Sequence, residues 1–122
     1  SCNKKLTDWV VWHEKWGEHL QFFLQKMKEG APAPEPMRTR PKLTRVSRWY
    51  CDIYYTLSKS RQLGSGGEYF IPQSEFNALF SIRKIDNVET RLRIVRVIQK
   101  ADEALLSVRA EKRAADLKKA KV

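Results

Sequence analysis

From Val88 to Val108 this chain carries apolar residues at three- and four-residue steps for about six helical turns. Val88, Leu92, Ile94, Val95, Val97, Ile98, Ala101, Ala104, Leu105, Leu106 and Val108 cover well over half of a helix circumference. Glu89, Arg93, Arg96, Lys100, Glu103 and Ser107 leave only a narrow wet strip. A helix apolar nearly all round belongs at the centre of a fold. The period of 3.6 residues, against the period of two that a half-buried strand needs, sets the expected class as all-α. Asp86 and Glu89 read as a D-x-x-E capping box opening this long helix, which is expected to run from Asn87 to about Lys119.

Three further helices are expected before it. Leu6, Trp9, Trp12, His13, Trp16, Leu20, Phe23, Leu24 and Met27 form one stripe, predicting a helix from a Thr7 or Asp8 cap to about Glu29, stopped by Gly30. Trp9, Trp12, Trp16, Leu20 and Phe23 are expected in the core, and Gly17 at the stripe's edge points to close approach of another helix. Leu43, Val46, Trp49, Tyr50, Ile53, Tyr54 and Leu57 predict a second helix from about Leu43 to Leu63. Pro72 should start a short third helix to about Ser81, with Phe76, Leu79 and Phe80 inward. Gly64-Ser65-Gly66-Gly67 reads as a flexible joint, and Tyr69 to Ile71 as a short extended piece.

The expectation is therefore a small helical bundle of about four helices, with a long C-terminal helix, in one domain over residues 1–122. Residues 30–42 form a basic linker in which Gly30, Pro32, Pro34, Pro36 and Pro41 favour an extended run that spans a distance rather than packs. Residues 110–122 form a basic tail expected to project or fray. No stretch approaches the roughly 18 to 20 apolar residues of a membrane span, and no signal-peptide pattern opens the chain. With only Cys2 and Cys51, a disulfide scaffold is not expected, and a reducing cytoplasm is.

Charge narrows the function. The chain carries a net charge of +10. Arg38, Arg40, Lys42, Arg45, Arg48, Lys59 and Arg61 face a single acid, Asp52, within residues 38–61, interleaved with Trp49, Tyr50, Tyr54 and Tyr55. A second excess lies beyond residue 83. Such a surface suits a polyanion, because neutralising phosphates releases condensed counterions.

Motifs for other chemistry fail on spacing. His13-Glu14 and Glu18-His19 mimic the H-E-x-x-H zinc motif, but the two His are six residues apart and fall on different helix faces. Cys51 has no sequence-adjacent base. Gly64 to Gly67 lacks the Lys-Ser/Thr ending of a phosphate loop. The fourth helix is too apolar for a helix-turn-helix recognition helix. No catalytic residue, metal or cofactor is expected, so the chain reads as a non-enzymatic protein.

The remaining constellation is basic and aromatic. Arg45, Arg48, Tyr55 and Lys59 lie along one side of the second helix, Arg38, Arg40 and Lys42 approach it, and Arg93, Arg96 and Lys100 line the strip of the fourth. Guanidinium groups grip phosphate and stack on bases, and Tyr55 offers a ring for the same purpose. The expected function is binding to the phosphate backbone of RNA or single-stranded DNA, as an accessory subunit of a larger nucleoprotein complex with protein partners and no membrane. The alternative is a protein–protein interaction or assembly module, homo-oligomeric in one form, supported by Val11 and Phe22 on the polar side of the first helix.

Overall fold

A computed structural model of the chain describes residues 2–61, 63–64, 67–68 and 70–120. The chain is an all-α bundle with a long C-terminal helix. Helix α1 spans Cys2–Trp16, a 3-10 turn follows at Gly17–His19, and α2 spans Leu20–Lys28. A single helical turn, α3, covers Glu35–Arg38, α4 covers Arg45–Ser58, α5 covers Gln73–Ile82 and α6 covers Val88–Ala120. Helices α1, α4 and α6 pack against one another pairwise. Phe76, Leu79 and Phe80 of α5 complete their core.

The expected first helix is longer at its start and broken near its end. It begins at Cys2, so Thr7 and Asp8 are interior rather than caps, and Asp8 instead pairs with Lys4 at 3.0 Å. The break falls at Gly17, where helix propensity is poorest. Among the described residues no other helix comes within 4 Å of a Cβ placed there: the nearest group is His13 of α1, at 4.0 Å. Beyond the break, α2 buries no residue. Of the five aromatic and aliphatic residues expected in the core, only Trp12 is buried. Trp9 packs on the core's edge, Leu20 and Phe23 are half-buried, and Trp16 is exposed. The deepest positions of α1 are Leu6 and Val10, one helical turn apart.

Helix α4 starts at a capping box, in which Thr44 accepts from the Ser47 amide and the Ser47 hydroxyl accepts from the Thr44 amide. It stops well before Leu63. The Ser58 and Ser60 hydroxyls bond back to the Tyr55 and Leu57 carbonyls, offering the backbone an alternative to further helix. Its buried face is Ser47, Tyr50, Cys51, Ile53, Tyr54 and Leu57, which leaves Val46 and Trp49 exposed, contrary to the predicted stripe. Leu63 and Gly64 then pair antiparallel with Glu68 and Gly67, so part of the glycine run is a minimal hairpin rather than a joint. Ser65, Gly66 and Tyr69 lie outside the described residues, Phe70 and Ile71 are in neither helix nor strand, and Ile71 is buried.

Pro72 is the N-cap of α5 rather than its first-turn residue. Two helices end in Schellman motifs. At α2 the Ala31 amide bonds the Lys26 carbonyl at 3.0 Å, with Gly30 in the left-handed region at φ 98°. At α5 the Ile85 amide bonds the Phe80 carbonyl at 2.8 Å, with Lys84 at φ 55° where glycine is the usual choice. The cap of α6 is Asn87, whose side-chain oxygen accepts from the Thr90 amide at 2.9 Å. Asp86, expected to cap, pairs with Arg91 at 3.6 Å. Ile94, Val97, Ile98, Ala101, Leu105 and Val108 form the seam of α6, while Val88 and Leu92 are exposed, so its apolar girdle is one-sided. Every described residue after Arg109 is exposed on a helix that continues to Ala120. No described helix is long and apolar enough to cross a membrane.

A polar cluster sits within this core. The Asp102 carboxylate accepts the Tyr54 hydroxyl at 2.9 Å and a two-pronged Arg61 guanidinium, one prong at 3.1 Å. The side chains of Arg61 and Asp102 are only 6% and 2% exposed. Burial, reinforced by the carboxylate, raises the Tyr54 pKa and keeps its hydroxyl a donor. Removing one member strands a buried charge, so Asp102→Ala should lower stability by about 3 to 5 kcal/mol. Tyr54→Phe should cost about 1.5 kcal/mol or more, as for a hydrogen bond to a charged group. Urea denaturation at pH 7 measures both, and a loss below about 1 kcal/mol for Asp102→Ala would remove the cluster's structural role.

Candidate functional site

The spacer between α2 and α4 does not hang free, as its prolines predict. Pro34 and Pro36 start the turn α3, and the Pro36 carbonyl accepts the Trp12 indole N–H at 2.9 Å. Two residues past α3, the Arg40 guanidinium lies over two indoles, 5.3 Å from the Trp12 ring centre and 6.0 Å from that of Trp9. The spacer is thus fastened to α1 by one hydrogen bond and one shared cation. The proline run supplies a rigid path to that attachment instead of a tether.

This docking creates a groove of about 600 Å³ between α1 and the start of α4. Its apolar floor is Trp9, Met37, Pro41 and Leu43, and its rim is Arg38, Arg40, Lys42 and Arg48. Four of the ten residues singled out in the sequence therefore converge. Arg38 lies 3.9 Å from Glu35, a loose exposed pair, while Arg40, Lys42 and Arg48 have no acidic partner among the described residues. Arg45 is exposed one turn before Arg48, outside the groove lining. Trp49, 42% exposed, lies four residues on from Arg45 on the same helix side. Trp49 belongs to the apolar stripe expected of the second helix. Its position beside two arginines was the available signal that it stays on the surface.

The other candidates lie elsewhere. Tyr55 is 41% exposed and lies outside the groove. It lines a second cleft of about 480 Å³ together with His13, Glu14, Arg61 and Arg109. Burial chiefly raises its pKa, with the neighbouring Cys51 adding to the effect. Lys59 is the exposed C-cap of α4 and lines neither cavity. Arg93, Arg96 and Lys100 are exposed on the side of α6 away from its buried seam, and none of them reaches the groove. The structure thus holds one concave basic site and one convex basic strip.

The second cleft is internally neutralised. Glu14 accepts from Arg109 at 3.0 Å, its backbone carbonyl accepts from Lys112, and Arg61 belongs to the Asp102 cluster. Nor do the nucleophile and metal candidates assemble. Burial, then the charge of Asp52, pushes the Cys51 thiol up to about 11, so it stays protonated at neutral pH. His19 sits on the 3-10 turn, 3.4 Å from Glu18. No group of three or more His, Cys, Asp or Glu side chains is placed to hold a metal among the described residues. Set against protein-family models, curated proteins and solved structures, the chain matches none.

His13 bridges the two sites. Its Nδ1 faces the Trp9 carbonyl at 2.9 Å, and its ring packs 4.0 Å from that of Trp9. Burial lowers its pKa, the Trp9 carbonyl opposes the shift, and the charge of Arg40 adds to the lowering. Between the folded pKa and the unfolded value of about 6.5, the unfolded chain binds more protons. The stability this histidine contributes is therefore complete above about pH 6.5 and is lost as pH falls through the folded value. Urea midpoints at pH 7.5 and 5.5 should accordingly fall less in His13→Gln than in the wild type. Equal falls in the two proteins would disprove the linkage.

Proposed function

We propose that this chain is a non-enzymatic nucleic-acid-binding protein that grips the phosphate backbone of RNA or single-stranded DNA as an accessory subunit of a larger nucleoprotein. The observation that carries the reading is the groove, in which Arg38, Arg40, Lys42 and Arg48 surround an apolar, aromatic-edged floor. Cations alone would suit any polyanion. A floor of Trp9, Met37, Pro41 and Leu43 between them suits one that also carries flat apolar rings at regular intervals. Exposed Trp49 beside Arg45 repeats the same pairing on the adjoining surface. The strip of Arg93, Arg96 and Lys100 serves as a second, purely electrostatic contact. A reducing cytoplasm fits the free, buried Cys51.

A second reading, an interaction module, draws on α2. That helix buries no residue and exposes Phe22, at 60%, with Leu24 and Met27. An apolar row of this kind suits a protein partner. In a nucleoprotein subunit the two readings describe different surfaces, and binding measurements separate them.

Affinity for a mixed-sequence single strand, followed by fluorescence anisotropy, should fall linearly with salt on logarithmic axes. Arg45→Ala with Arg48→Ala should weaken all sequences alike and flatten the slope by roughly 1.4, at about 0.7 per phosphate contact. Arg93→Ala with Arg96→Ala should flatten it independently. No binding at low salt, or indifference to both double changes, would leave the interaction module as the function.

A further inference from the structure

Arg40 differs from every other cation of the groove in how it is held. Trp12 is buried and its indole N–H is fixed by Pro36, so the inner seat is rigid. Trp9, packed on the core's edge, supplies the second ring. Arg40 itself is half-buried, and its guanidinium has no hydrogen-bond or acidic partner among the described residues. The interactions that hold it are with the two indoles, and its N–H groups have no acceptor among the described residues while part of the side chain stays exposed. An arginine on an open surface must be ordered when a ligand arrives, whereas this one is ordered beforehand.

We propose that Arg40, seated on Trp9 and Trp12, is the stacking platform for an unpaired base, and that through it the groove selects single-stranded nucleic acid over duplex. This rests on the nucleic-acid reading above. A guanidinium stacks flat on a base while its edge N–H groups reach the phosphate beside it, so one side chain serves both parts of a nucleotide. Arg38, Lys42 and Arg48 then hold neighbouring phosphates as point charges. In a duplex the bases are stacked on each other, so a duplex meets only those charges. Charge alone favours the duplex, which carries more phosphate per unit length and the steeper counterion release. A preference for single strands is therefore a signature that electrostatics does not produce.

The test compares the wild-type chain, Arg40→Lys and, as a control away from the groove, Arg113→Lys. A labelled 12-nucleotide single strand and the matching duplex are used at one salt concentration, with a thermal melt of each protein. The wild type should bind the single strand more tightly than the duplex. Arg40→Lys, which keeps the charge and loses the plane, should weaken single-strand binding about fivefold or more, the factor set by the lower end of a base-stacking energy. Its duplex binding and the salt slope should stay within about twofold and a few tenths of the wild type. Arg113→Lys, on the exposed end of α6 and outside the groove, should change both ligands by less than about twofold. If Arg40→Lys melts early, the wild-type preference for single strand over duplex still decides the matter. Equal or tighter duplex binding by the wild type overturns the proposal, as does an Arg40→Lys loss that is absent or the same for both ligands. Binding of neither ligand by the wild type overturns the nucleic-acid reading itself, and this proposal with it.

Discussion

A carboxylate shut away from water holds this fold in register. Asp102 sits midway along α6 and receives Tyr54 from α4 and Arg61 from the segment that follows. Leaving any of these groups unpaired at that depth would cost several kcal/mol. The chain therefore has only one economical way to leave α4. It must turn after Ser58 so that Arg61 reaches Asp102, and the hairpin and α5 follow from where that turn points. Apolar packing between α1, α4 and α6 supplies the bulk of the stability, but it tolerates small slides along the seam. The cluster does not, because a shift of one residue would separate hydrogen-bonded charges.

A second attachment places the basic groove. Trp12 belongs half to the core and half to the spacer, with its ring buried and its N–H spent on Pro36. The groove's wall stands at a fixed height above α1 because the backbone of α3 is bonded to that indole. Arg40 then doubles the attachment through its charge. Fold and site share these two residues, so the groove is as rigid as the helix beneath it.

The helical class, the four main helices and the inward face of α5 were all legible from the spacing of apolar residues. The depth of each residue was less so. Periodicity defines a stripe about 120° wide, and which edge of the stripe goes deepest depends on where other helices cross. Thus Leu6, at one edge of the stripe, and Val10, just beyond it, are the buried row of α1, while Trp16, well inside the stripe but at the helix's last position, is exposed. The charge of residues 38–61 was visible, but not its division: Arg61 turns inward to Asp102, and Arg38, Arg40, Lys42 and Arg48 ring a groove. One hint was present, since Asp102 falls on the apolar arc of α6 between Ala101 and Leu105, where a lone acid demands a counter-ion. The docking of the spacer had no such hint. Proline content sets stiffness and says nothing of the indole N–H, more than twenty residues earlier, that captures a carbonyl.

The 3-10 break at Gly17–His19 separates the fates of α1 and α2. Before it, each side chain is constrained by the core it enters. After it, no residue is buried and only Leu20 and Phe23 are half-buried, so side chains in α2 meet far fewer packing constraints. Natural selection acting on stability is blind to Phe22, Leu24 and Met27, and selection for solubility acts against them. Over evolutionary time α2 is free to be rewritten without disturbing the groove.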